Sequence, residues 1–178
     1  MTVFIIMGVS GCGKTTVGKL LAEKLDAPFY DGDDFHPPEN IAKMSSGQPL
    51  NDDDRKPWLD NLHVWMRRYV EGGQTATSTG SVQAVFACSA LKKSYRDRLR
   101  GNLDAVQFVH LEGDFDLIWQ RMQAREGHYM KAGMLQSQFD TLEAPNAAEA
   151  LVISIESSPT EIVNSIMKSQ ACSGFASK

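Results

Sequence analysis

Gly8-Val9-Ser10-Gly11-Cys12-Gly13-Lys14-Thr15 satisfies the pattern G-x-x-x-x-G-K-[ST], and its surroundings suit that reading. Val3 to Met7 is a short apolar run of the kind shown by a strand buried on both faces. After the loop, Val17, Leu20, Leu21 and Leu25 recur at helical spacing. The chain therefore reads strand, glycine-rich loop, helix. Glycines let the backbone turn tightly and aim its N–H groups inward, where they and the helix N-terminus cradle phosphate oxygens. In such a loop Lys14 reaches the β- and γ-phosphates of a nucleoside triphosphate, and the Thr15 hydroxyl ligates Mg²⁺. The expected nucleotide-binding set is the whole loop, Gly8 through Thr15, together with Thr16.

A length of 178 residues suits a single domain with a real core. That domain is expected over 1–168, with a frayed tail over 169–178. Net charge is −4 with the two signs interspersed, which argues against a nucleic-acid partner. No apolar stretch approaches a membrane span. The apolar run at 3–7 meets Gly8 and Lys14 too soon, and no basic region precedes it, so a signal peptide is not expected. Cys12, Cys88 and Cys172 are widely spaced and odd in number, which fits neither a disulfide framework nor a zinc site. A reducing cytoplasm is the expected home.

Further strands are expected at Phe29-Tyr30, Val82 to Cys88, Ala105 to Leu111 and Leu151 to Ile155. Between them lie helical patterns: one or two turns at 37–44, a long helix after Asp52-Asp53-Asp54, a basic helix at 91–99, a helix marked by Phe115, Ile118, Trp119 and Met122, and a terminal helix from Pro159 to about Met167. Gly72-Gly73 ends the long helix, and 74–81 reads as an exposed loop. Strands alternating with helices imply a parallel sheet covered on both faces, an α/β fold of five strands.

Asp31-Gly32-Asp33 falls just past the carboxyl end of the second strand, the edge where open α/β sheets bind ligands. A carboxylate there can hold Mg²⁺ through water or accept a proton from an attacking hydroxyl. The plain alternative is a solvated turn. For Asp52-Asp53-Asp54, capping of the next helix by Asp53 or Asp54 is the better reading than a metal site, with Pro57 in the first turn. Arg55 is a natural partner for a substrate carboxylate. Lys92 and Arg96, on the basic helix, are either an ordinary solvated face or close to an anionic substrate. Arg121 and Arg125 lie four apart on a helix, followed by Gly127-His128-Tyr129-Met130-Lys131-Ala132-Gly133, which reads as a lid over about 126–137. Arginines there could neutralise a transferring phosphoryl group and stack on adenine. His63 and His110 carry no partner motif and read as structural. Cys12 lies beside a helix N-terminus and Lys14, both of which favour thiolate, so thiol reagents are expected to inactivate the protein. A buried, inert thiol is the competing reading.

With these residues in place, the sequence resembles the gluconate kinases, P-loop sugar-acid kinases related to shikimate kinase. The resemblance covers nearly the whole chain. It rests on Met7-Gly8-Val9-Ser10-Gly11, Asp31-Gly32-Asp33 with His36-Pro37, Asn40-Ile41-x-Lys43-Met44, and Gly47-x-Pro49-Leu50. It continues through Asp54-Arg55-x-Pro57-Trp58-Leu59, Cys88-Ser89-Ala90-Leu91-Lys92, Tyr95-Arg96, Gly127-His128, Ser137-Gln138-Phe139 and Leu142-Glu143-x-Pro145. Cys12 stands where the family often has Ser, and the stretch at 75–81 looks idiosyncratic. The resemblance implies ATP- and Mg²⁺-dependent phosphorylation of the 6-hydroxyl of D-gluconate by a cytoplasmic homodimer. It implies Asp33 as the group that orients that hydroxyl and accepts its proton, by analogy with the Asp-x-Asp pair of shikimate kinases. Thr15 and Asp31 would hold the Mg²⁺ shell, and Lys14 and Arg125 would neutralise the moving charge. Arg121 would bind nucleotide. His36, Arg55, Lys92, Arg96, His128 and Gln138 supply the polar groups that gluconate requires. Two rivals remain: a kinase of the same fold for shikimate or a nucleoside monophosphate, and a non-catalytic ATP switch. His36-Pro37 and Gly127-His128 speak against the first, and Asp33 against the second.

Overall fold

The computed structural model describes residues 2–72, 83–124 and 132–173. The loop expected at 74–81 lies outside the described residues. In chain order the elements are β1 (Thr2–Met7), α1 (Lys14–Leu25), β2 (Phe29–Asp31), a 3-10 turn (Gly32–Phe35), α2 (Pro38–Ser45), α3 (Asp52–Gly72) and β3 (Gln83–Ala87). They continue with α4 (Lys93–Arg100), β4 (Val106–Glu112), α5 (Phe115–Gln123), α6 (Ala132–Thr141), β5 (Ala150–Ser154) and α7 (Pro159–Ser173). The five strands form one parallel sheet in the order β2-β3-β1-β4-β5.

The period of two in β1 divides the core into two layers. Val3, Ile5 and Met7 pack with Trp58, Leu59 and Leu62 of α3 and Tyr95 and Leu99 of α4. Phe4 and Ile6 face the other way, onto Val17 and Leu21 of α1, Ile118 of α5, and Ile162 and Ile166 of α7. Each such side chain contributes about 1.5–3 kcal/mol on burial. A central strand buried on both faces is therefore a rigid mount for the loop that leaves it. The crossover from β3 to β4 passes β1, so the loops after β1 and β3 and the turn after β2 emerge on one carboxyl edge. That crevice is where such sheets bind ligands.

Several local expectations change. Ala132–Thr141, which begins inside the expected lid, is a helix: Leu135 is completely buried, and Phe139 and Leu142 pack beside it, at i, i+4 and i+7. Residues 125–131, the rest of the expected lid with the last lid-flanking arginine, lie outside the described residues. Helix α7 runs on to Ser173, past the expected end near Met167. The cap of α3 is Asn51. Its side-chain oxygen accepts the Asp54 N–H at 2.9 Å while Asp54 Oδ2 accepts the Asn51 N–H at 2.8 Å, a reciprocal box. Pro57 stands inside the helix rather than in its first turn.

His63 accounts for one ring nitrogen with the Leu99 carbonyl, 3.0 Å from Nδ1. His110, in β4, is buried and its Nδ1 has no partner among the described residues. Burial holds its pKa below the usual histidine value, opposed by Glu112 and reinforced by Arg96. An unfolded histidine takes up a proton at about pH 6.5, before the folded one does. The unfolded state thus binds more protons as pH falls through this window, and stability declines. Urea unfolding is expected to show a falling midpoint from pH 7 to pH 5, with a flatter dependence in His110→Phe. An unchanged slope in that variant contradicts the assignment.

Candidate active site

The loop after β1 is shaped by backbone that only glycine adopts readily. Gly13, the residue preceding α1, has φ of +101°, in the left-handed region. Lys14 folds back over the loop, its Nζ donating to the carbonyls of Gly8 at 3.1 Å and Val9 at 3.0 Å. An ammonium has three donors, so one remains for a ligand oxygen. The Gly8 N–H donates to the Ser89 carbonyl at 3.3 Å, which fastens the loop to the end of β3.

Asp31 and Asp33 meet this loop from β2. Thr15 Oγ1 donates to Asp31 Oδ2 at 3.3 Å, and Asp31 Oδ1 accepts the Asp33 N–H at 3.2 Å, capping the 3-10 turn. Gly32 makes the approach possible, since a Cβ there would lie 2.5 Å from the Ala87 carbonyl oxygen. Lys14, Thr15, Thr16, Asp31 and Asp33 line one cavity of about 710 Å³ with Ser10, Ser89, Met134 and Gln138. The Asp33 side chain is 87% exposed by area and lines this cavity. Partial desolvation, followed by the charge of Asp31, raises its pKa; His36 and Lys14 oppose the shift. A carboxylate of raised pKa beside a phosphate loop is suited to proton acceptance.

A second cluster adjoins Asp33. His36 Nε2 lies 3.9 Å from Asp33 Oδ1, and its ring stacks on Trp58 at 4.3 Å between centroids and 13° between planes. Trp58 in turn donates its indole N–H to the Gly32 carbonyl at 2.7 Å. Arg55 donates to the Leu50 carbonyl at 2.5 Å and sits 5.8 Å from the Tyr95 ring centroid, with further N–H donors in its fork.

Other sequence-predicted residues are engaged elsewhere. Arg96 is the clear correction. It is 2% exposed, its Nε and Nη2 bind Glu149 at 2.7 and 3.3 Å, and its Nη1 binds the carbonyls of Ala90 and Leu91 at 3.1 and 3.0 Å. It braces the turn in which Ala90 takes φ of +45°, a strained value for a non-glycine residue. It is not available to a substrate. Removing one partner of such a buried pair costs about 3–5 kcal/mol. Lys92 is tied to both oxygens of Asp52, at 2.9 and 2.7 Å, so its charge is already matched. Arg121 donates to the Ile155 carbonyl at 2.7 Å and secures the segment after β5. Gln138 lines the cavity with Asp33 and is bound to the phosphate loop: its Oε1 accepts the Ser10 N–H at 2.7 Å and its Nε2 donates to Ser10 Oγ at 3.0 Å. Arg125 and His128 lie outside the described residues.

Cys12 is 2% exposed, and burial raises its pKa despite Lys14. The expected thiolate is therefore absent, because desolvation outweighs the nearby positive charge. Cys88 is buried as well, with its thiol pushed up to about 12. Alkylation by iodoacetamide in native buffer is expected to be slow at both, becoming fast in urea. Rapid native labelling at Cys12 by mass spectrometry contradicts this.

Sequence reasoning gave no role to Asn40, Trp58 or Tyr95, which build the second cluster. The only available signal was their place in the shared motifs, since their partners lie far along the chain.

A parallel sheet with a phosphate loop on its central strand and a carboxylate pair at the carboxyl end of the edge strand β2 defines a P-loop kinase of small molecules. The family profile described as shikimate kinase matches residues 10–171. The chain is 44% identical to the gluconokinase of Gluconobacter oxydans over 92% of its own length and 88% of that protein. It is 46% identical to the thermoresistant gluconokinase of Escherichia coli over 86% and 83% of the two chains. Among solved structures, a gluconokinase from Sinorhizobium meliloti superposes with a TM-score of 0.84 at 38% identity, covering 99% of this chain and 98% of that one. The chain belongs to the gluconokinase family, a branch of the shikimate-kinase-like P-loop kinases.

Proposed function

We propose that this protein transfers the γ-phosphoryl group of ATP to the 6-hydroxyl of D-gluconate, giving 6-phospho-D-gluconate and ADP. The observation that carries the reading is the meeting of Asp33 with Lys14 and Thr15 in one cavity, with the His36 and Arg55 cluster next to it. A nucleotide switch has no use for an acceptor-side carboxylate beside the phosphate loop. Family membership selects gluconate over shikimate or nucleotides as the acceptor.

The loop amides, Lys14 and Thr16 hold the triphosphate, and Arg121 borders the nucleotide side. Thr15 Oγ1 and Asp31 Oδ2, 3.3 Å apart, are an oxygen donor set suited to Mg²⁺ and its waters. When bound, the ion neutralises phosphate charge. Asp33 orients the 6-hydroxyl and accepts its proton. Arg55 takes the gluconate carboxylate, with His36 beside the hydroxyls. Phosphoryl transfer leaves little covalent work for the protein, so alignment and charge neutralisation dominate. The reading also takes the protein to be a homodimer of the reducing cytoplasm, in keeping with two free, buried cysteines. No helix among the described residues is long and apolar enough to cross a membrane.

Coupled measurement of ADP release tests the reaction. Release is expected to depend on ATP, Mg²⁺ and gluconate together, with shikimate and nucleoside monophosphates inactive. Equal release without an acceptor, or preference for another acceptor, overturns the reading. Arg55→Ala is expected to raise the gluconate KM by about tenfold or more, the value of a hydrogen bond to a charged group, and to leave the ATP KM unchanged. Equal changes in both constants remove Arg55 from the acceptor side.

A further inference from the structure

Both ring nitrogens of His36 have neighbours that define their roles. Asn40 on α2 is 4% exposed, and its Nδ2 lies 2.8 Å from the Asp54 carbonyl oxygen and 3.3 Å from His36 Nδ1. A peptide carbonyl only accepts, so the nitrogen of the Asn40 amide, not its oxygen, occupies this corner. An amide nitrogen only donates. His36 Nδ1 therefore accepts, and the ring carries its proton on Nε2, the atom 3.9 Å from Asp33 Oδ1. Stacking on Trp58 holds the ring plane.

We propose that Asn40 is a positioning residue that fixes His36 as the neutral Nε2–H tautomer and so presents an N–H to one oxygen of Asp33. The opposite tautomer would set a nitrogen lone pair against the carboxylate and turn it away. With Oδ1 faced by an N–H, Oδ2 stays open to an acceptor hydroxyl. The groups around His36 agree with a neutral ring. The 3-10 turn contributes Asp33, α3 contributes the cation Arg55 and the neutral Trp58, and α2 contributes the Asn40 amide. A second ring proton would place Nδ1–H against the amide N–H and face Arg55 with a like charge. None of this follows from the reaction itself, although its catalytic consequence rests on Asp33 being the acceptor-side base.

The test is a long-range ¹H–¹⁵N correlation spectrum of the ¹⁵N-labelled full chain at pH 8, with the His36 signals identified by their loss in His36→Gln. A bare Nδ1 and a protonated Nε2 are expected. In Asn40→Asp the acceptor replaces the donor, and the proton is expected on Nδ1. Alongside it, kcat is expected to fall at least about tenfold, with the ATP KM unchanged within about twofold, since the loss is one of alignment. A protonated Nδ1 in the unaltered chain overturns the proposal, and this outcome is readable even if Asn40→Asp does not fold. An Asn40→Asp protein that keeps a bare Nδ1 overturns it too. A switched tautomer with unchanged kcat overturns the proposed consequence, since Asp33 would then work without an N–H facing Oδ1.

Discussion

Lys14→Ala is expected to lower kcat by about 10²–10³-fold, the usual loss when one preorganised charge is taken from a transition state, about 3–4 kcal/mol. The ammonium already bridges the Gly8 and Val9 carbonyls, so the charge is held at the mouth of the loop before any ligand arrives. That preorganisation is what makes it effective, since no reorientation is needed as charge moves from the γ-phosphate. Loss of the bridge also loosens the loop, so ATP affinity is expected to fall as well. Lys14→Met, which keeps most of the stem, separates packing from charge. The core lies in the two layers beneath the loop, and melting temperatures of both variants are expected to stay near that of the unaltered chain. Near-normal turnover in a folded Lys14→Ala protein would falsify the assignment of the loop.

Asp33→Asn keeps the shape of the side chain and removes the proton acceptor. Turnover is expected to fall by about 10²–10⁴-fold, the range of a positioned general base, with ATP binding little changed. A pH profile adds an independent check. Partial desolvation, then Asp31, raises the Asp33 pKa, so activity should be lost as pH falls through a value above the ordinary carboxylate range of about 3.9. The sign follows from the role: only the deprotonated form accepts a proton. Asp33→Asn is expected to abolish this acidic limb in the residual rate. A variant whose sole defect is weak nucleotide binding moves Asp33 into the metal shell beside Asp31.

The sheet, the phosphate loop and the carboxylate pair are legible in the amino-acid order, because each is written in contiguous residues. The unbroken apolar run in β1 marks a strand buried on both faces. Gly13 announces a left-handed turn, and Asp31-Gly32-Asp33 follows its strand directly. These are local backbone preferences and periods, and they survive without knowledge of partners. The helix at Ala132–Thr141 was less legible, since a glycine near its start hides a face that only Leu135, Phe139 and Leu142 define. Which charges and polar groups remain available depends on partners brought together by folding. Arg96 and Lys92 belong to the same basic stretch, yet Glu149 and Asp52, 53 and 40 residues away, occupy them. Gln138 finds Ser10 across 128 residues. Cys12 stays protonated because burial outweighs a lysine two positions on. Desolvation and the choice of hydrogen-bond partner depend on distances in space, and a linear pattern carries no record of them until the sheet order brings its edges together.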